Sequence, residues 1–146
     1  MRRKTYFPEN SATPEGYGQM HTSCAHAGFP SPADDYLDGA LDLNKLLVNN
    51  APATFFLRVK GDSMTGAGIH SNDILVVDRS VSASHNSIVV AVLNGALTVK
   101  RLWQRNGRVA LMPDNPQYKP VEVTHNEEFE VWGVATSVIH SLRKQK

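Results

Sequence analysis

Hydrophobic and polar positions change rhythm along this chain. From residue 54 onward, β-branched and aromatic residues cluster in short runs at 54–59, 74–78, 87–93, 96–103, 109–112 and 129–140, separated by Gly, Asn, Asp and Pro. Runs of that length bounded by turn formers predict strands. Asn94-Gly95 lies between two of them and predicts a two-residue hairpin. Ahead of the strands, Leu43-Asn44-Lys45-Leu46-Leu47-Val48 predicts one short helix capped by Asp42, which stops at Asn49-Asn50 before Pro52. Residues 1–35 hold Pro8, Pro14, Pro30 and Pro32 with Gly16, Gly18 and Gly28, and show neither a helical nor a strand period. The expectation is a flexible, extended N-terminal arm over 1–35. A mainly β, antiparallel domain over 36–146 follows it, barrel-like or sandwich-like, with one short helix. No internal repeat is visible.

Composition narrows this picture. A chain of 146 residues that is 41% hydrophobic suits one compact domain with a true core. Lys+Arg 15 against Asp+Glu 14 leaves a net charge of +1, too balanced to support nucleic-acid or membrane binding by bulk electrostatics. The arm is too short and too broken for a helix-turn-helix, so no direct sequence-specific DNA binding is expected. Cys24 is the single cysteine, which excludes an intramolecular disulfide and favours a reducing compartment. Met1-Arg2-Arg3-Lys4 resembles the start of a secretion signal, but Pro8-Glu9-Asn10-Ser11 follows where an apolar run is required. With no run near the ~20 apolar residues that span a bilayer, a cytoplasmic protein without membrane attachment is expected.

Candidate chemistry starts at Lys60-Gly61-Asp62-Ser63-Met64, where the strand over 54–59 ends. A tight turn there exposes the Ser63 hydroxyl and aims neighbouring backbone N–H groups at one point, as an oxyanion hole requires. A serine nucleophile also needs a base. None of the six histidines, His21, His26, His70, His85, His125 and His140, sits in a triad signature. Lysine serves only when neutral. Its ordinary pKa of about 10.4 leaves roughly one amine in a thousand unprotonated near neutral pH, a deficit of about 4 kcal/mol. Desolvation by ~3–5 pKa units removes that deficit. In Ala96-Leu97-Thr98-Val99-Lys100-Arg101-Leu102, Lys100 shares a strand face with Thr98 and Leu102 while Arg101 points the other way. Thr98 then holds the amine without a carboxylate that would keep it charged. The plainer reading is a turn serine and a solvated strand lysine.

A substrate is present in the same chain. In Ala25-His26-Ala27-Gly28-Phe29-Pro30-Ser31-Pro32, an extended backbone turns Ala25 and Ala27 to the same side, as a narrow protease cleft accepts, and Gly28 permits close backbone approach. The same octapeptide also reads as a small-residue linker.

Several motifs in order resemble one family. Gly61-Asp62-Ser63-Met64, Gly68-Ile69, Asp73-Ile74-Leu75-Val76-Val77-Asp78, Ser87-Ile88-Val89-Val90-Ala91 and Leu97-Thr98-Val99-Lys100-Arg101-Leu102 look like the LexA/UmuD family of self-cleaving Ser-Lys peptidases. Ala27-Gly28-Phe29-Pro30-Ser31-Pro32-Ala33 with Asp35-Tyr36, and Leu41-Asp42-Leu43-Asn44, resemble its UmuD branch, the processed subunits of error-prone translesion polymerases. The resemblance runs from about Ala27 to the C-terminus. It implies a LexA/signal-peptidase-like fold, Ser63 as nucleophile, Lys100 as general base, and Ala27–Gly28 as the bond cut. Asp62, Met64 and Thr98 then support the oxyanion hole or the dyad. Asn86-Ser87 departs from the Gly-Asp or Gly-Ser of relatives, a change that Asn tolerates in a left-handed turn.

The resemblance further implies a role in the DNA-damage (SOS) response. A RecA-type filament on single-stranded DNA stimulates self-cleavage, and a homodimer of the cut protein joins a Y-family, UmuC-like polymerase subunit. The apolar alternation of Val131, Gly133, Ala135, Ser137 and Ile139 suits either a dimer edge or a strand completing its own sheet. Competing classes are a self-cleaving repressor, which needs a DNA-reading domain, a signal peptidase, which needs a membrane anchor, and a non-enzymatic interaction protein with an idle dyad. His21, Cys24 and His26 match no zinc spacing, so neither metal nor cofactor is expected. Trp103 and Trp132 lack the interleaved basic residues of a nucleobase platform, and Arg143, Lys144 and Lys146 read as a solvated basic tail.

Overall fold

The computed structural model describes residues 40–143 together with Thr5–Tyr6, Met20–His21 and Ala27–Gly28. Cys24, His26, Lys144 and Lys146 lie outside the described residues, as does most of the expected arm. Within it, Thr5–Tyr6 (β1) and Met20–His21 (β2) are two-residue strands that the sequence pattern does not predict.

The domain is an antiparallel β structure. In chain order, its further elements are β3 (Ala40–Leu41), α1 (Leu43–Leu47), β4 (Thr54–Arg58), β5 (Ile74–Asp78), β6 (Ile88–Leu93), β7 (Ala96–Arg105), β8 (Arg108–Met112), β9 (Val121–Val123) and β10 (Phe129–Ile139). Eight strands form one sheet in the order β1-β4-β5-β10-β6-β7-β8-β9, and β2 pairs with β3. Asp42 caps α1 as expected: its Oδ1 accepts the N–H of Asn44 at 3.0 Å, satisfying a donor that the first helical turn leaves unpaired.

Two Asn-Gly pairs make the tight hairpins. Asn94-Gly95 (φ 49° and 81°) joins β6 to β7, and Asn106-Gly107 (φ 51° and 72°) joins β7 to β8. Positive φ at both central residues matches the right-handed strand twist, which explains the residue choice. The expected left-handed Asn86 is also seen, at φ 73°.

β10 completes the sheet of its own chain. Its first half pairs with β6, Phe129 opposite Leu93, and its second half with β5, Ile139 opposite Ile74. Register shifts between Val131 and Gly133 and between Ala135 and Ser137 bend the strand as it changes partner. Gly133 is required at that crossing, since a Cβ there would sit 2.6 Å from Val77 Cγ1. Two apolar clusters fill the interior. Val59, Met64, Ile69, Leu75, Val77 and Val90 make one, and Val89, Ala91, Leu102, Leu111 and Val134 the other. Trp132 packs against the first, tilted against Phe55, with the Arg79 guanidinium 4.6 Å from its ring centre. It therefore serves packing and a cation–π contact.

Candidate active site

The turn that carries Ser63 begins where β4 runs out. Gly61 adopts φ 97°, a region that L side chains rarely enter, and reverses the chain just before the serine. The turn is pinned on both sides. Its Gly61 N–H donates to Ser71 Oγ at 3.2 Å, and the neighbouring Lys60 amine reaches Asn72 Oδ1 at 2.7 Å. From the loop after β8, Asn115 Nδ2 donates to the Asp62 carbonyl at 2.8 Å, and the Asp114 carbonyl accepts the Gly66 N–H at 2.6 Å. Beneath the serine, Met64 is 2% exposed in the first apolar cluster and anchors the turn to the core. A short 3-10 turn over Thr65–Ala67 follows, closed by Gly68 at φ 78°.

Lys100 comes from the middle of β7, an interior strand between β6 and β8, where Val89 is its partner in register. Its amine meets three oxygens: Ser63 Oγ at 3.0 Å, Thr98 Oγ1 at 2.9 Å and the Val99 carbonyl at 3.1 Å. Thus the period-two reading of β7 holds for Thr98 and Lys100. Arg101 turns to the other face, where Nε and Nη2 bond the Asp114 carboxylate at 2.5–3.1 Å and Nη1 reaches the Asn86 carbonyl at 2.9 Å. That paired contact holds Arg101 above its ordinary pKa and fixes the loop that braces the serine turn. Burial pushes the Lys100 amine below the ordinary lysine range.

Among the described residues no carboxylate offsets this. The Asp62 side chain turns to Tyr118, whose O–H donates to Oδ1, and among the described residues Lys100 has no ion pair. Asp62 in turn raises the Tyr118 pKa by accepting the hydrogen bond of its protonated hydroxyl. Among the described residues, Ser63 Oγ bonds to nothing but Lys100, and the N–H groups of Asp62 and Ser63 donate no hydrogen bond. Those two amides precede and bear the nucleophile candidate.

The structure therefore brings Ser63, Lys100 and Thr98 together and places Met64 below and Asp62 aside. Ala27 and Gly28 lie in an exposed bend, and a Cβ on Gly28 would meet no atom within 4 Å. Among the described residues no contact joins that bond to the dyad. No described histidine bonds Ser63: His85 Nδ1 accepts the Gln104 N–H at 3.1 Å, and His70 and His140 gather around Asp73. The bracing residues Ser71, Asn72, Asp114, Asn115 and Tyr118 carry no sequence signal of their role. Their contacts span from ten positions, as between Gly61 and Ser71, to more than fifty, as from Asp62 to Asn115, and involve backbone groups or ordinary polar side chains.

Comparison with known proteins agrees with this architecture. Residues 19–136 match the Peptidase S24-like family. The chain is 44% identical to protein SamA of Salmonella typhimurium, over 85% of this chain and 86% of SamA. It is 50% identical to protein MucA of Escherichia coli, over 80% and 77% of the two chains. A LexA repressor, from Bordetella pertussis, is 37% identical over 79% of this chain and 53% of its own length. This chain belongs to the S24-like peptidase family, with the antiparallel β fold expected of it and, among the described residues, the single short α-helix. No helix among the described residues is long and apolar enough to cross a membrane.

Proposed function

We propose that this protein is a self-cleaving serine peptidase in which Ser63 and Lys100 form the catalytic dyad and the Ala27–Gly28 bond is the substrate. The observation that carries the reading is the 3.0 Å contact between Lys100 Nζ and Ser63 Oγ in a setting that disfavours the ammonium. A neutral amine has two hydrogens and one lone pair. The Val99 carbonyl can only accept, Thr98 Oγ1 takes the second hydrogen, and the lone pair is left for the Ser63 proton.

The chemistry follows from that assignment. For the cut, the Ala27–Gly28 segment of the arm, residues 1–35, has to enter, extended, the cleft of the domain formed by 36–146, in its own or a neighbouring subunit. Lys100 takes the Ser63 proton as Oγ bonds to the Ala27 carbonyl carbon. The Asp62 and Ser63 N–H groups stabilise the oxyanion, while Asp62 keeps its carboxylate on Tyr118, away from the amine. Collapse breaks the Ala27–Gly28 bond as Lys100 returns the proton to the Gly28 nitrogen. Water then attacks the Ser63 ester, its proton passing through Lys100 to Oγ. This releases a peptide of residues 1–27 and a domain that begins at Gly28.

Similarity to SamA, MucA and a LexA repressor supports placing this cleavage in the SOS response. In that setting a RecA-type filament on single-stranded DNA triggers the cut. The shortened chain, as a cytoplasmic homodimer, then serves as accessory subunit to a Y-family, UmuC-like polymerase. The test is incubation of purified full-length protein at alkaline pH, or at neutral pH with an activated filament. Intact-mass spectrometry should detect the 1–27 fragment, and Ser63→Ala should abolish it. A fragment ending elsewhere, or one that persists in Ser63→Ala, refutes the assignment. Absence of cleavage under both conditions leaves a binding protein with an idle dyad.

A further inference from the structure

A second cluster lies outside the peptidase chemistry. His70 and Asp73 flank the turn leading into β5, and His140 immediately follows β10, the strand paired with β5. His140 Nδ1 lies 2.5 Å from Asp73 Oδ1, and His70 Nδ1 lies 3.8 Å from Asp73 Oδ2. The imidazole rings are 5.0 Å apart, and one donor atom from each of the three residues falls within 4.8 Å of the others. We propose that His70, Asp73 and His140 form a binding site for a divalent transition-metal ion of the zinc class.

Three features favour a metal over an ordinary ion pair. A tetrahedral ion with bonds of about 2.0–2.2 Å sets its donors about 3.4 Å apart. The separations here bracket that value, and the two rings that would adjust are 49% and 43% exposed. Asp73, by contrast, is 3% exposed, and its Oδ2 already accepts the His70 N–H at 2.7 Å. Its carboxylate is thus buried and oriented from the backbone, as the supporting hydrogen bond of a ligating carboxylate should be. Among the described residues neighbouring cations do not claim it: Lys60 and Arg58 are turned to Asn72, through Oδ1 and the carbonyl oxygen. Two imidazoles and one carboxylate suit zinc, nickel or copper better than magnesium or calcium, and the exposed side leaves a position for water. A bound ion would tie the chain after β10 to the loop whose Ser71 and Asn72 brace the serine turn.

The site is testable without the peptidase reading. Full-length, untagged Ser63→Ala protein, whose arm stays attached, is titrated with zinc against a chromophoric chelator and melted with and without zinc. One equivalent should bind, and zinc should raise Tm. His70→Gln/His140→Gln, which alters two exposed side chains and spares Asp73, should weaken binding about a hundredfold or more and remove the shift. His21→Gln/Cys24→Ser/His26→Gln should leave both unchanged. Zinc binding that survives the first variant, that disappears in the second, or that magnesium matches in affinity overturns the proposal, as does the absence of binding at micromolar zinc.

Discussion

Replacing Lys100 by methionine separates the two consequences of burying an amine. Lys100→Met keeps a long apolar stem and deletes the group that contacts Ser63 Oγ, Thr98 Oγ1 and the Val99 carbonyl. No other described group is positioned to take the Ser63 proton. General-base catalysis contributes roughly 10²–10⁴-fold, so the barrier should rise by about 2.7–5.5 kcal/mol. Stability should respond in the opposite sense with pH. Burial lowers the folded-state pKa of Lys100, so between that value and about 10.4 the unfolded chain binds more protons and the parent gains stability as pH rises. Methionine has no such dependence. The expected result has two parts: first-order release of the 1–27 fragment slows at least a hundredfold, and parent stability climbs relative to the variant as pH is raised from 7 toward 10. Mass-spectrometric time courses measure the first. Calorimetric melts in a Ser63→Ala background, where cleavage does not intervene, measure the second. A cleavage rate within tenfold of the parent, or a Tm difference that ignores pH, refutes the neutral-lysine argument.

Two further substitutions probe what holds the serine in place. A Cβ at Gly66 would stand 2.5 Å from the Asp114 carbonyl oxygen, a backbone atom that Arg101 helps to fix. Gly66→Ala should therefore separate the two loops, lower stability by about 1–3 kcal/mol and slow cleavage by about tenfold or more; normal kinetics at undiminished Tm would show that the brace is unnecessary. Met64→Ala empties a site that is 2% exposed and should cost about 2–5 kcal/mol in urea denaturation. A loss below about 1 kcal/mol would mean that the turn does not depend on that anchor.

Strand positions were legible because each run needs only local information. β-branched residues favour extended backbone, and Asn94-Gly95 needs nothing beyond its own φ preference. Asn106-Gly107 carries the same local signal and joins β7 to β8. β9, only Val121–Val123, is too short to announce itself. The course of β10 is a different matter. Its alternation suits a strand completing its own sheet and also a dimer edge, and the division of its pairing between β6 and β5 came only from the tertiary structure, as did the space Val77 leaves at Gly133.

By itself the sequence determined the strand-rich domain, the helix cap at Asp42, the turn at Gly61 and the shared face of Thr98 and Lys100, since these follow from backbone preference and a period of two. It also supplied the ordered motifs that single out Ser63 and Lys100 among many serines and lysines. Only the tertiary structure decided that this lysine is half-buried, whether a carboxylate reaches it and what braces the serine. Desolvation and charge neighbourhood depend on every element packed around an atom. Asp62 is adjacent to Ser63 in sequence, yet its carboxylate faces Tyr118, 56 positions away. His70 and His140 come together for the same reason: the pairing of β5 with β10 closes a separation that no local pattern spans.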